Sequence, residues 1–324
     1  MNFMKLISNK SSKFGKGVSL QWNIYNSNNN KKFPNNNFPV GIKYNSARSI
    51  IYQFLKFINI TSEDEILVCG FTCDAVTETI KYFTDHIIAV DVNNDLTMSY
   101  DDICSKITCR SRVLILQNTF GRLGLKIDQI NNLKSRNIHI IEDCSLSYGS
   151  VVNGIQHGNF GDISIFSLEA SKAITIGWGG ILLINNYKFL KKELMFPRKI
   201  PIIIDAKRYM EYIICTNLNK FKLSFGPIIW YFLYCLKVLT KSSTNKFIME
   251  NYPGMGILSR KLLSKINQNE EYEKLNKNYI FLYDKLKNNK NIFLPIVPRI
   301  DEFIVSPRFP IYVNKKIKNR LLKK

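Results

Sequence analysis

Apolar residues recur in two rhythms between residues 40 and 185. Short runs that are apolar throughout, ILVC at 66–69, HIIAVDV at 86–92, RVLIL at 112–116, IHII at 138–141 and ISIF at 163–166, read as strands buried on both faces. Between them lie stretches whose apolar positions fall three and four apart: IIYQFLKFI at 50–58, the segment from Cys73 through Tyr82, and residues 127–136. That spacing lines one face of a helix. Strand and helix alternate, which predicts an α/β fold with a mostly parallel sheet wound with helices.

Beyond Lys188 the pattern changes. A proline-interrupted stretch, FPRKIPIII, leads into helical patterns through Leu239, and LSRKLLSKINQNEEYEKLNKNYIFLYDKLKNN then reads as one amphipathic helix with a charged, solvated face. Strand-like pieces follow at 292–294 and 308–313. The resulting division is an N-terminal arm over 1–39, ending in the asparagine-rich SNNNKKFPNNN, a large domain with a helical extension over 40–240, and a small α+β domain over 241–324. The most apolar stretch, PIIWYFLYCLKVL at 227–239, is too short to span a bilayer and reads as a buried or dimer-interface helix, an interfacial membrane helix being the rival.

Composition narrows the picture. The 324 residues, 45% hydrophobic, suffice for one large domain and a smaller one. Lysine and arginine number 46 against 25 acids, a formal charge of +21. Such an excess suits nucleic acid, a membrane surface or anionic substrates. It is mostly lysine, scattered among many asparagines and isoleucines, the set that AT-rich codons favour, and no stacking or groove-reading motif accompanies it, so no nucleic-acid partner is expected. The 7 cysteines match no zinc spacing and read as free, buried thiols of a reducing compartment. His86, His139 and His157 lack partners at metal-ligand spacing, so no metal site is expected. The N-terminus lacks the apolar core of a signal peptide, which places the chain in the cytoplasm.

The candidate chemistry sits in residues 138–185. The run ending in Glu142-Asp143 delivers a carboxylate at the C-terminal edge of a buried strand, where open α/β sheets place their ligands. The next run delivers Ser167 and then Lys172, followed by Gly177, Gly179 and Gly180. A carboxylate and a lysine presented side by side suit pyridoxal phosphate, whose aldehyde takes a lysine and whose ring nitrogen takes an anion. Far upstream, Asn45 or Ser46 would cap the helix at 50–58, and its free backbone N–H groups with a serine hydroxyl make a phosphate site.

Taken together these elements resemble the sugar-nucleotide aminotransferases of the DegT/DnrJ type, which are fold type I pyridoxal-phosphate enzymes. The resemblance rests on Asn45-Ser46-Ala47-Arg48-Ser49, Phe71-Thr72-Cys73, Gln117-Asn118-Thr119-Phe120-Gly121 with Asp128, Glu142-Asp143-Cys144, Gly161-Asp162, and Ser167 through Lys172 to Gly177, Gly179 and Gly180, in register. It implies a fold type I large domain plus a small, shortened C-terminal domain. It further implies transamination of a nucleotide-linked keto-sugar with glutamate as donor, in surface polysaccharide biosynthesis, by a homodimer with shared active sites.

Residue by residue, the resemblance makes Lys172 the catalytic lysine that carries the cofactor and shuttles protons. Asp143 would pair with the pyridinium nitrogen, and Ser46, the Ala47 amide and Ser167 would hold the phosphate. Cys73 and Leu146 would lie against the ring, and Asn251 would reach the partner subunit's phosphate. Glu142 is expected to be structural. Leu146 stands where relatives carry a hydrogen-bonding glutamine or histidine, which with the short C-terminus supports an alternative: a relative that keeps the fold with impaired turnover.

Overall fold

The computed structural model describes residues 41–220 and 245–322; the arm at 1–39 and the apolar segment at 227–239 lie outside them. Chain order runs β1 (Ile42–Tyr44), α1 (Ala47–Phe57), β2 (Glu65–Cys69), α2 (Asp74–Ile80), β3 (Ile87–Val90), α3 (Tyr100–Lys106), β4 (Ser111–Gln117), α4 (Ile127–Ser135) and β5 (His139–Asp143). It continues through β6 (Val151–Val152), β7 (Ile155–Gln156), β8 (Ile163–Ser167) and β9 (Gly180–Ile184). The 7-stranded sheet has the order β1-β9-β8-β5-β4-β2-β3. Pairing is parallel from β3 across to β8, while β9 runs antiparallel to both β8 and β1.

The inner apolar runs are strands because both of their faces are covered; β3, at the sheet edge, is only half covered, with Ile87 and Ile88 half-buried and Ala89 exposed. Ile66, Val68, Ile115 and Ile141 pack with Ile50 and Phe54 of α1 on one side. Their neighbours Leu67, Leu114, Leu116 and Ile140 pack with Ile130 and Leu133 of α4 on the other. Each such side chain contributes roughly 1.5–3 kcal/mol by leaving water, so a one-residue slip of a strand would leave packing intact only if both layers moved with it.

After β9 come α5 (Lys192–Met195), α6 (Ile202–Lys220), α7 (Lys246–Asn251), α8 (Ile257–Leu263), α9 (Gln268–Leu286), β10 (Ile292–Phe293), β11 (Glu302–Phe303), β12 (Tyr312–Val313) and α10 (Lys315–Leu322). The single amphipathic helix expected over 258–289 is two helices. Asn267 caps the second, accepting from the Glu270 N–H, with Glu270 and Glu271 in its first turn, and that start signal outweighs the continuous apolar periodicity. The strand-like pieces shrink to β10 and β12, which pair with each other. An unanticipated strand, β11, pairs antiparallel with β6, itself half of a hairpin with β7 that turns at Asn153-Gly154 with positive φ at both residues. Tyr272 of α9 packs on Gly149, where a Cβ would stand 2.6 Å from the ring.

Cys69, Cys73, Cys104, Cys109 and Cys144 are free, as expected, but Cys73 and Cys109 are exposed and Cys104 half-buried, because these three lie outside the strands.

Candidate functional site at the carboxyl edge of the sheet

The strand registers bring the candidate residues to one edge. Gln117 at the end of β4 lies opposite Asp143 at the end of β5, and Asp143 lies opposite Ile165, two residues short of Ser167. Ser167 pairs with Gly180 across β8 and β9, Gly180 pairs with Tyr44 of β1, and Ser46 bridges to Gly179. The C-terminal ends of three parallel strands therefore meet the start of α1.

At that helix start Ser46 has the extended backbone of an N-cap, and its Oγ accepts from the Ser49 N–H at 3.1 Å. Its hydroxyl also meets Ser49 Oγ at 2.9 Å, and Ser49 donates onward to Asn45 Oδ1. Half-buried Ala47 follows, and a Cβ at Gly180 would stand 2.7 Å from its amide nitrogen, so only glycine lets β9 pass this close to the helix start.

The adjacent acids of β5 point to opposite duties. Glu142 is fully buried, its Oε1 accepting from Asn118 Nδ2 and Gly158 N and its Oε2 from Phe160 N, Gly161 N and Ser164 Oγ. Its three backbone donors gather the loop that precedes β8, while Asn118 and Ser164 tie the end of β4 and the start of β8 to the same carboxylate. Asp143 instead has Oδ1 on the Ser145 N–H at 2.9 Å, and among the described residues no donor reaches Oδ2. Its charge is felt at the end of β2: burial first, and then the Asp143 carboxylate, push the Cys69 thiol up to about 11, against the Phe71 N–H.

Lys172 stands in a closed loop. Leu168 N bonds Gly179 O, Ile176 N bonds Leu168 O, and Lys172 N closes a turn onto Glu169 O at 3.0 Å. Gly177 and Gly179 take φ of +86° and +116°, a region that side chains other than glycine rarely adopt. The lysine is half-buried, and Ser167 Oγ lies nearly buried at the root of the loop.

The remaining candidates are placed less centrally. Cys73 is exposed at the start of α2 and caps it with no side-chain bond. Leu146 is half-buried in the turn after β5. Asn251, the last residue of α7, is exposed and donates to its own helix at Phe247 O, while the next two residues accept hydrogen bonds from Asn45.

The profile of the DegT/DnrJ/EryC1/StrS aminotransferase family matches residues 38–219, more than half of the chain and the whole of this edge. The chain belongs to that family. GDP-perosamine synthase of Escherichia coli O157:H7 is 32% identical over 181 residues, which cover 55% of this chain and 50% of that protein. The UDP-N-acetyl-3-dehydro-alpha-D-glucosamine 3-aminotransferase of Acidithiobacillus ferrooxidans is 29% identical over 48% of this chain and 42% of its own. The chain thus spans about half the length of the curated relatives it matches. Spr1654 of Streptococcus pneumoniae, solved in PLP and PMP forms, shares the fold over 88% of this chain and 70% of its own, with a TM-score of 0.60 at 19% identity.

The DegT/DnrJ edge in this chain fits pyridoxal phosphate on its own chemistry. Hydroxyl and backbone donors at a helix start suit a dianion, the open oxygen of Asp143 suits a protonated ring nitrogen, and the looped lysine suits an aldehyde. Thr72 Oγ1, at the end of β2, is buried without a hydrogen-bond partner among the described residues, a donor still available at the same edge.

Reading the sequence alone missed what braces the lysine loop. Arg48 of α1 forms an ion pair with Glu169 at 2.9 Å, tying the helix start to the loop three residues before Lys172. Tyr212 of α6 meets Trp178 edge-on at a centroid distance of 6.3 Å, and Trp178 donates to Ser259 Oγ at 2.8 Å. Burial, and next the like charge of Arg48, lower the pKa of Arg208 on the same helix. Arg48 and Glu169 lie inside the family motifs, but 121 positions apart, and their pairing requires β1 and β8 to be brought together by β9.

Proposed function

We propose that this protein is a pyridoxal-phosphate-dependent aminotransferase that moves an amino group from glutamate to the ketone of a nucleotide-linked sugar, in surface polysaccharide biosynthesis. The carrying observation is the convergence of Asp143, Ser167, Lys172 and the Ser46–Ala47 helix start on one sheet edge of a DegT/DnrJ family chain. Its relatives are named for GDP- and UDP-linked sugars, which supports a nucleotide-linked substrate. When bound, the cofactor supplies an electron sink for the carbon that loses or gains a proton.

The chain's own residues do the rest. Ser46, the Ala47 N–H and Ser167 hold the phosphate, and Asp143 keeps the ring nitrogen protonated by placing a negative charge beside it. Lys172 would hold the cofactor through its side-chain amine and would take and return the proton at the substrate carbon. On this reading Cys73 and Leu146 would border the ring, and Asn251, exposed at the end of α7, would serve a second subunit of a homodimer. A cytoplasmic setting accords with the absence, among the described residues, of any helix long and apolar enough to cross a membrane.

Purified protein should carry the yellow colour of the lysine-bound cofactor and lose it on adding glutamate. Colour that survives Lys172→Ala, or protein that stays colourless in excess pyridoxal phosphate, would sink the reading. Leu146 favours one second reading, a relative with impaired turnover, since leucine packs on the ring but cannot hydrogen bond; coloured protein inert to glutamate would support it.

A further inference from the structure

Between Tyr187 and Met210 the chain departs from the rule that surface apolar residues stand singly. Tyr187, Phe196 and Ile203 are 77%, 71% and 79% exposed, with Ile202 and Met210 also exposed. Along α6 the two sides separate cleanly. Asp205 is buried, accepting from the Leu258 N–H, and Tyr212 packs on Trp178, so that side faces the protein. Ile203, Lys207 and Met210, at i, i+4 and i+7, share the side that faces out. Exposed Lys191, Lys192, Lys199 and Lys207 are interleaved with these apolar residues, while Glu193 is the only exposed acid from 187 to 210.

We infer that this shoulder docks peripherally on a bilayer surface bearing anionic headgroups. Exposed aliphatic and aromatic side chains gain by entering the boundary between headgroups and acyl chains, and the surrounding lysines gain from negative lipid. The two alternative occupants fit worse. A two-fold contact with a second copy would set the lysine-rich rim against itself. Nucleic acid would satisfy the lysines and leave Phe196 and Ile203 in water. Lysines cluster again in KKIKNRLLKK at 315–324; what singles out residues 187–210 is their mixture with large, exposed apolar side chains. The inference is independent of the amino-transfer reading, since it concerns the surface outside the sheet edge.

The full chain, as purified, is to be floated with vesicles of phosphatidylcholine alone and of phosphatidylcholine mixed with phosphatidylglycerol. It should float with the anionic vesicles only, and less at high salt. Lys191→Glu with Lys192→Glu should weaken that partition about 25-fold or more, at roughly fivefold for each basic residue lost at the surface. Phe196→Ser with Ile203→Ser should weaken it comparably, and because all four positions are exposed both doubles should keep the wild-type unfolding midpoint. Wild-type protein that does not float, floats equally with neutral vesicles, or floats undiminished in either double variant would overturn the inference. So would a Phe196/Ile203 double variant that turns a sedimenting dimer into monomer, since a second copy would then be the occupant.

Discussion

Glu142 and Asp143 are neighbours on one strand, yet substitution should separate them completely. Both Glu142 oxygens already receive more than one donor, so Glu142→Gln must turn an NH₂ group toward backbone N–H groups whichever way it is placed. A cost of about 3 kcal/mol or more is expected in urea unfolding, from buried donors left without an acceptor. Asp143→Asn keeps the carbonyl oxygen that accepts from Ser145 and should unfold within about 1 kcal/mol of wild type, while losing glutamate-dependent bleaching. A stable Glu142→Gln, or an Asp143→Asn that still bleaches, would reverse the assignment of the two acids. Much of this was legible: an acid closing an apolar run marks the sheet edge. That Glu142 is the structural acid was also expected; what the local sequence does not announce is the means, the convergence of Gly158, Phe160 and Gly161 on its carboxylate.

Elements were most readable where both faces of a strand are covered, because a run apolar throughout has few other readings. They were least readable where a boundary depends on a distant partner. The helix α8 begins at Gly256, whose missing side chain offers no cap; Asp205 of α6 supplies it, accepting from Leu258 N at 2.8 Å and from Ser259 Oγ. A Cβ at Gly256 would collide with that carboxylate. Asp205→Ala should therefore cost about 2 kcal/mol and speed amide exchange at Leu258 and Ser259 before the rest of α8 is affected. Uniform exchange across both helices would argue that α8 holds without its borrowed cap. By contrast the β6–β7 hairpin carried its signal openly in Asn153-Gly154, a dipeptide suited to positive φ at both positions, and short flanking strands alone kept it from standing out.

Across the whole molecule, the C-terminal segment is held to the sheet domain by a nearly buried ion pair, Arg122 with Glu302 at 2.8 Å, which no periodicity could reveal. Arg122 also donates to Val297 O. Arg122→Met should destabilise by about 3–5 kcal/mol because it strands a buried carboxylate, and adding Glu302→Leu should recover most of that loss in thermal unfolding. A double variant as unstable as the single one would mean that packing, not the stranded charge, sets the cost. Acid stability has a second source. Burial lowers the pKa of His157 to about 4, against the partial opposition of Glu142. The unfolded chain then takes up a proton near the usual histidine value while the folded one does not, so the contribution is intact above about pH 6.5 and is lost as pH falls toward 4. The expected loss is on the order of 3 kcal/mol, and His157→Gln should flatten the stability profile over that window.

The pairing of β1 with β9 also has a consequence in time. Its partners Tyr44 and Gly180 are far apart in the chain, and the Asn45 N–H that steadies the helix start bonds Pro253 O, more distant still. Contacts of such separation form late, after loop closure has been met by other structure. On a ribosome the strands from β2 to β8 can therefore assemble, and Asp143 can reach its place, while the phosphate-binding helix start is still without its neighbours. The chain becomes able to retain its cofactor only when residues near 255 have emerged, so pulse-labelled nascent chains arrested shortly before that point should fold their sheet yet fail to hold pyridoxal phosphate.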